Sequence, residues 1–205
     1  MSTKRQRTFI DQIGMIFSMT PIVLSVYIGI LALGRTNFIF LKIIIFLNFF
    51  IGSYFVILFI LRMLIPKLKP GVYPIGFNKG FITWVLHLSL SRSLKIANLK
   101  ELVYSTRVLR SFFFKALGAR IDFDTTLAIN CELSDLQLIT IKKGTLIADN
   151  VKINAHLISN GKLFLSPVTI GEDCFIGEDS KINARVTISD KSIIEKSTHL
   201  ANKKI

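Results

Sequence analysis

Cysteine is scarce in this sequence: among 205 residues there are only two, Cys131 and Cys174. A disulfide framework or a metal site would need more ligands at closer spacing. The sequence also lacks a phosphate-cradling glycine loop, a nucleophile elbow and a zinc-type cysteine pair. We therefore expect no metal, and we interpret both cysteines as small buried thiols in a reducing compartment.

Acidic residues are nearly absent from the first 120 positions, where only Asp11 and Glu101 occur. Residues 1–61 carry five Lys and Arg, residues 62–120 carry eleven, and residues 121–205 carry ten against eleven acids. The net charge of +13 therefore lies beside the apolar part of the chain. Nucleic acid is the rival partner for a protein with a pI of about 10.0. Charge next to membrane spans favours anionic lipid instead, so we expect a membrane partner and no nucleic acid.

Two long apolar runs precede residue 66. Residues 13–33 contain no charge, and residues 38–65 contain only Lys42 near the start and Arg62 near the end. About 20 apolar residues suffice to cross the hydrocarbon core. The sequence therefore predicts a membrane hairpin over residues 1–65, with spans near 13–33 and 43–64 and a turn at 34–37. A secretory signal is the alternative for the short basic start, but a second apolar run follows the first closely.

Basic residues mark the open end of this hairpin, before the first span and after the second. They are Lys4, Arg5, Arg7, Arg62, Lys67 and Lys69. The connecting turn carries Arg35, with Lys42 just beyond it. Because basic flanks stay in the cytoplasm, we expect a multi-pass protein of the cytoplasmic membrane with both termini inside.

A six-residue period organises the chain from Ile121 onward. From Ile170 an isoleucine recurs at every sixth position as far as Ile194, and a small or β-branched residue lies two positions before each later one. The same period runs from 121 to 133 and, after two extra residues, from 141 to 153. A period of six matches neither a helix nor an alternating strand. It predicts a solenoid over residues 121–205, in which each short strand buries its face against the next coil.

Residues 66–120 connect the hairpin to the solenoid. Residues 66–80 contain three prolines and three glycines, which predicts an ordered connector. Residues 81–117 predict two helices, broken near Ala97-Asn98. Trp84 and the aromatic residues 112–114 would suit a basic amphipathic helix at a membrane interface. The alternative, compatible with the first, is a helical segment packed across the open end of the solenoid.

This repeat resembles that of the hexapeptide-repeat acyltransferases, whose parallel β-helix is left-handed with three hexapeptides per triangular coil. A narrower resemblance covers roughly residues 66–200. Tyr73-Pro74, 117–121, 135–147 and 155–171 are similar to the membrane-embedded C-terminal regions of polylysine-type nonribosomal peptide synthetases and their free-standing relatives. Ala155 and Ser166 stand where those relatives usually have glycine.

The repeat is interrupted between Ile153 and Ile170, and Asn160-Gly161 within the interruption predicts a β-hairpin. His156 lies at its base, and histidine titrates near neutral pH. The resemblance implies that His156 is the general base acting on an acceptor hydroxyl. Asp149 and Glu132 are candidates for the acid that orients its ring. The alternative is that His156 is only a polar residue at the base of a loop.

Other candidate residues are weaker. Lys162 and Arg185 could contact the phosphates of acetyl-CoA, and a solvated surface explains them equally well. His87 fits an interfacial or packing role, and His199 lies at the chain end. Because His87 precedes the solenoid, we do not expect the clustered metal-binding histidines of a carbonic-anhydrase-like member.

Together these features predict a membrane-bound acyltransferase that moves acetyl from acetyl-CoA to a hydroxyl or amine. The expected acceptor is a sugar or a lipid-linked saccharide. The resemblance implies a homotrimer with each site between neighbouring β-helices. A monomer capped by the helices of residues 81–117 is the alternative. The alternative is a catalytically silent β-helix scaffold in a membrane assembly, since a fold alone does not establish an activity.

Overall fold

The computed structural model of the protein describes residues 3–35 and 38–205, so Thr36 and Asn37 of the predicted turn lie outside the described residues. Five α-helices precede the solenoid: α1 Thr3–Ala32, α2 Ile39–Leu64, α3 Lys79–Ile96, α4 Lys100–Ser105 and α5 Arg107–Leu117. Strand β1, Gly71–Pro74, lies in the connector between α2 and α3. The predicted break at Ala97-Asn98 separates α3 from α4, and Thr106 divides the rest of the segment into α4 and α5.

By length and composition, α1 and α2 could each cross a membrane. The apolar parts are Thr8–Ala32 and Ile39–Leu64, with mean hydropathies of 2.0 and 2.6. Both helices pack on the helical segment that follows. The Tyr54 hydroxyl of α2 is 2.7 Å from the Ser93 hydroxyl of α3, and Gly14 lets α1 approach Ser89 and Val85 of α3 closely.

Helices α3 to α5 cover the first coil of the solenoid. Trp84, Phe113 and Phe114 are at most 6% exposed, whereas Phe112 is 59% exposed. The buried Arg110 guanidinium donates to the backbone oxygens of Thr125 at 2.7 Å and Leu127 at 3.3 Å. These carbonyls belong to the first coil, so α5 satisfies polar groups at the end of the solenoid. Four aromatic side chains were expected at a membrane interface. Three of them are instead buried, as the alternative of a helical segment packed on the solenoid predicts, and only Phe112 is exposed.

Twelve short strands build the solenoid in three parallel sheets, each with one strand per coil. The first sheet contains β2 Arg120–Ile121, β5 Ile139–Ile141, β10 Val168–Ile170 and β13 Thr187–Ile188. The second contains β3 Thr126–Leu127, β6 Leu146–Ile147, β11 Phe175–Ile176 and β14 Ile193–Ile194. The third contains β4 Glu132–Ser134, β7 Lys152–Asn154, β12 Lys181–Ile182 and β15 His199–Leu200. This architecture fits the predicted left-handed β-helix.

The six-residue period places its aliphatic side chains in register along the solenoid axis. Ile121 pairs with Ile141, Ile141 with Ile170, and Ile170 with Ile188. None of these four residues is more than 8% exposed. The predicted inward positions of the repeat are thus confirmed. Each coil buries its aliphatic side chains by stacking on the neighbouring coils.

Both interruptions of the period lie at one edge of the solenoid, between the third sheet and the first. In the first coil this edge holds residues 135–138, including the 3₁₀ turn Leu136–Leu138. In the second coil it holds the predicted hairpin, formed by β8 His156–Ser159 and β9 Lys162–Leu165. Asn160 and Gly161 have φ values of 48° and 68°, as a two-residue type I′ turn requires. Strand β1 pairs with β9 and fastens the hairpin to the connector.

Candidate active site

His156 is the first residue of β8, where the chain leaves the second coil. Its side chain is 22% exposed, so one part of the ring is enclosed and another is accessible. The enclosed nitrogen, Nδ1, lies 2.5 Å from Oδ2 of Asp135. The fold therefore gives this histidine a carboxylate partner.

Asp135 reaches His156 from the preceding coil. It follows β4 with φ 63° and ψ 46°, a left-handed conformation that aspartate tolerates better than most residues. Its side chain is 1% exposed. A buried carboxylate needs hydrogen-bond donors on both oxygens, and the second donor is Trp84 Nε1, 2.6 Å from Oδ1.

The carboxylates suggested by the sequence as partners of His156 lie elsewhere. Asp149 accepts a hydrogen bond from Asn130, and Glu132 forms ion pairs with Lys95 and Lys152. Asp135 replaces both candidates because it occupies the same edge as His156, one coil earlier. That position depends on how the coils stack, which the spacing along the chain does not reveal directly.

Trp84 joins helix α3 to this site. Besides its bond to Asp135, its ring packs edge-on against the His156 imidazole, with centroids 5.2 Å apart. The indole N–H can only donate, so it fixes the carboxylate from the side opposite to the histidine. Trp84 is thus part of the site, a role that the sequence did not indicate.

The arrangement determines which tautomer of a neutral His156 fits beside an ionised Asp135. An ionised carboxylate only accepts hydrogen bonds, so in that state His156 donates its Nδ1–H to Asp135. The lone pair of the neutral ring is then on Nε2, the nitrogen away from the carboxylate. A histidine oriented in this way can remove a proton from an attacking group and return it to a leaving group.

The two predicted donor-binding cations differ in position. Lys162 pairs with Ser159 at the turn of the hairpin, whereas His156 pairs with Leu165 at its base. Three residues of strand, about 10 Å, therefore separate Lys162 from the level of the dyad. Arg185 is at the same edge as the dyad: Ile153 pairs with Ile182, so Arg185 occupies the position in the third coil that His156 occupies in the second.

The other two histidines have structural surroundings. His199 is exposed in the last coil, with its Nε2 2.7 Å from Asn183 Nδ2. His87 is 8% exposed, and its Nε2 and Nδ1 contact the Pro66 oxygen at 2.9 Å and the Gln137 amide nitrogen at 3.0 Å. Gln137 Oε1 in turn accepts from the Leu68 N–H. A neutral His87 satisfies this chain of bonds and ties the connector to the first coil.

Burial lowers the pKa of His87 below its usual value. The nearby Arg62 charge lowers this pKa further, whereas the hydrogen bond to Pro66 and the Asp135 charge oppose the shift. The unfolded chain therefore takes up the proton at higher pH than the folded protein does. Stability is expected to be highest above about pH 6.5 and to fall as pH drops from there towards the folded-state pKa. Thermal unfolding of the purified protein from pH 8 to pH 5 measures this slope.

The matched variant for this prediction is His87→Gln, which replaces the titrating imidazole ring with an amide that does not titrate. Its melting temperature is expected to be lower at pH 8, because the ring packing is lost, and to depend less on pH below 6.5. An acid slope equal to that of the wild type would contradict the assignment of this slope to His87.

The cysteines occupy buried corners of the solenoid. Cys131 and Cys174 are both unpaired and at most 2% exposed. Burial raises the pKa of Cys131 to about 11, so its thiol is protonated at neutral pH and a poor nucleophile. Within residues 3–35 and 38–205, no cluster of three or more His, Cys, Asp or Glu side chains could hold a metal ion.

Comparison with known proteins shows two curated relatives of different kinds, and no protein-family model matches the chain. The delta-poly-L-ornithine synthetase of Acinetobacter baumannii (strain AB307-0294) is 22% identical over 161 residues, covering 78% of this chain and 11% of the synthetase. The galactoside O-acetyltransferase of Escherichia coli (strain K12) is 36% identical over 72 residues, covering 32% of this chain and 36% of that enzyme. The chain thus spans only a minor part of either relative.

Among solved structures, a maltose O-acetyltransferase from Clostridium difficile 630 is similar with a TM-score of 0.42 and 18% identity. The match covers 53% of this chain and 74% of that structure. Acetyltransferases therefore occur among both the curated relatives and the structural neighbours of this chain, alongside a synthetase.

Proposed function

We propose that the protein is an acetyltransferase in which His156 is the general base. The observation that carries this proposal is the Asp135–His156 dyad, with Nδ1 held by a buried carboxylate and Trp84 fixing that carboxylate from its other side. The identity of 36% with a galactoside O-acetyltransferase over 72 residues supports the same reaction class.

The reaction needs one base and one acid, and a single histidine supplies both in turn. Nε2 of His156 takes the proton from the acceptor hydroxyl or amine as its oxygen or nitrogen attacks the carbonyl carbon of acetyl-CoA. The resulting imidazolium is stabilised by Asp135. When the tetrahedral intermediate collapses, the C–S bond breaks and the thiolate of CoA receives the proton from Nε2. The acceptor leaves acetylated, and the histidine is neutral again.

Acetyl-CoA enters this proposal as the donor substrate. Arg185, one coil from the dyad at the same edge, is the better placed cation for its phosphates, and Lys162 at the hairpin turn would meet a more distant part of the molecule. Both side chains are exposed. A solvated surface explains this exposure equally well. The support for Arg185 is therefore its position at the same edge of the solenoid as the dyad, one coil further along.

We further propose that α1 and α2 hold the protein in the cytoplasmic membrane, with the solenoid and both termini on the cytoplasmic side and anionic lipid at the basic flank. Support comes from the two apolar helices and the charge distribution. A reporter fused after Ile205 should show cytoplasmic activity, and one inserted at residues 34–37 should be external. An external C-terminal fusion would contradict this topology and remove access to cytoplasmic CoA.

The proposed active form is a homotrimer. Strand β8 is the outer strand of the sheet β1–β9–β8, so the hairpin could complete a site on a neighbouring β-helix. Mass measurement of the detergent-extracted protein, corrected for bound detergent, should give three copies. An active monomer would contradict a shared site.

Incubation of the purified protein with labelled acetyl-CoA and an extract of envelope precursors tests the function directly. We expect label to enter a saccharide or lipid-linked saccharide fraction, and we expect this to be about 10²–10⁴ times slower with the His156→Ala protein. Label that stays in acetyl-CoA with both proteins, across soluble and lipid fractions, would contradict the enzyme proposal and favour a silent scaffold.

A further inference from the structure

A cavity of about 580 Å³ lies between α1, α3, the segment after β1 and the hairpin. This volume is within the range of small-molecule sites. Its wall on α1 comes from residues between Ile10 and Ser18, in the first turns of the apolar segment Thr8–Ala32. The cavity thus lies where α1, the first of the two proposed membrane-spanning helices, approaches α3 and the hairpin.

The cavity adjoins the dyad through two residues of its wall. Trp84 lines the cavity and also binds Asp135 and packs against the His156 ring. Ile158 lines it from β8. Because alternate residues of a strand share a face, Ile158 and His156 lie on the same face of the hairpin. The cavity wall therefore includes two residues that neighbour the general base, and the His156 ring itself lies behind Trp84, outside the lining.

The lining is mainly apolar, with one acid, Asp11, and one base, Arg92. The charges of this pair cancel, so the wall offers no excess of cations for the phosphates of CoA. A hydrocarbon chain suits such a lining, because removing each methylene group from water is favourable. With α1 in the membrane as proposed, a lipid would also reach this cavity directly from the bilayer.

We infer that this cavity binds the hydrocarbon chain of a membrane-anchored acceptor and presents its polar head group to His156. The inference rests on the proposed acetyltransferase function and narrows its acceptor to lipid-linked molecules. The occupant is the acceptor rather than the donor because the donor must carry its phosphates to a cationic surface. Arg185 offers such a surface at the solenoid edge, outside the cavity wall.

The chain supplies two matched pairs of positions for a test. On β8, Ile158 lines the cavity and is 50% exposed, whereas its neighbour Leu157, on the opposite face, is 48% exposed. On α1, Met15 lines the cavity and is 62% exposed, and its neighbour Ile16 is 64% exposed outside the lining. Tryptophan at Ile158 or Met15 should fill the cavity, while tryptophan at Leu157 or Ile16 adds the same bulk elsewhere.

The binding experiment uses a dodecyl galactoside with a photoreactive diazirine in its alkyl chain and the four variants in lipid nanodiscs. Crosslinks in the wild type should map to the first turns of α1 and to α3. Ile158→Trp and Met15→Trp should reduce them about tenfold, consistent with the loss of two or three buried methylenes. Leu157→Trp and Ile16→Trp should leave them within about twofold of the wild type, as expected for surface substitutions.

The same labelling with His156→Ala separates the cavity from the chemistry. Retained crosslinking in this inactive protein is expected and supports the cavity whatever the fate of the enzyme proposal. Equal crosslinking in all four tryptophan variants would overturn the inference, because the probe would then report only bulk lipid. Competition by decanoyl-CoA but not by dodecyl galactoside would also overturn it, since the cavity would then take the acyl chain of the donor.

Transfer to methyl and dodecyl galactosides completes the test. The ratio of the two rates should favour the dodecyl acceptor in the wild type, Leu157→Trp and Ile16→Trp, and should fall towards one in Ile158→Trp and Met15→Trp. A ratio near one in the wild type would contradict selection of a lipid-linked acceptor even if acetyl transfer itself is observed.

Discussion

The His156→Ala protein is expected to transfer acetyl groups about 10²–10⁴ times more slowly than the wild type, as removal of a positioned general base typically does. The physical reason is that Nε2 is the only ring nitrogen left to accept a proton when Nδ1 donates to Asp135. Initial rates with labelled acetyl-CoA measure the effect. Expression, membrane location and oligomeric state should stay as in the wild type, because His156 is 22% exposed at the start of a surface hairpin, so water can replace its ring as the donor to Oδ2 of Asp135.

The control for this variant is His199→Ala, which removes a histidine from the same solenoid. His199 contacts Asn183 in an exposed part of the last coil, so its loss should change the rate by no more than about twofold, as for other surface substitutions. If His156→Ala retained activity within a few-fold of the wild type, His156 would be structural and the base would lie elsewhere.

The solenoid was predictable because the residues that build its core recur at a fixed interval along the sequence. An inward aliphatic residue every six positions has no use in a helix or in an ordinary strand, so Ile170, Ile176 and Ile182 already require stacked coils. The hairpin was predictable from Asn160-Gly161, since few other dipeptides adopt two consecutive left-handed conformations. Both predictions rest on local or repeating features, and the structure contains both.

The carboxylate partner could not be read in the same way, although the sequence contains a signal for it. The six-residue period breaks twice, between Leu133 and Ile141 and between Ile153 and Ile170. Stacking places both breaks at one edge of successive coils, and Asp135 and His156 lie in them. A search for polar residues within paired interruptions would have favoured Asp135 over Asp149 and Glu132, which lie outside both breaks.

Trp84 illustrates what sequence reasoning does not reach. It is separated from both dyad residues along the chain and comes to them only because α3 packs across the first coil. Its place in WVLHLSL is typical of an amphipathic interfacial segment, and aromatic residues in such segments often lie at a membrane surface. The packing of a helix on a solenoid leaves no repeating pattern in the sequence. The contact of Trp84 with the dyad is therefore visible only in the folded chain.

Asp135→Asn is expected to lower the rate about 10³-fold, because the substitution changes which nitrogen of His156 carries the proton. Trp84 Nε1 must donate, so the new amide oxygen faces Trp84 and its NH₂ group faces Nδ1. Nδ1 then has to accept, the ring proton moves to Nε2, and the base is lost. Asp135 is in this view a positioning residue. The loss should therefore not add to that of His156→Ala in the double variant.

The geometry also predicts a partial rescue that a merely structural role for Asp135 would not produce. In the Asp135→Asn background, Trp84→Phe removes the donor that dictates the orientation of the amide. The amide can then turn its oxygen towards Nδ1–H and restore the lone pair on Nε2. We expect the double variant to be about tenfold more active than Asp135→Asn alone, a small part of the contribution of general base catalysis, although Trp84→Phe by itself should be slower than the wild type. Rates measured from pH 5 to pH 9 distinguish this positioning role from a structural one. If the losses of the two substitutions add in the double variant and its pH profile is unchanged, Asp135 and Trp84 only support the fold.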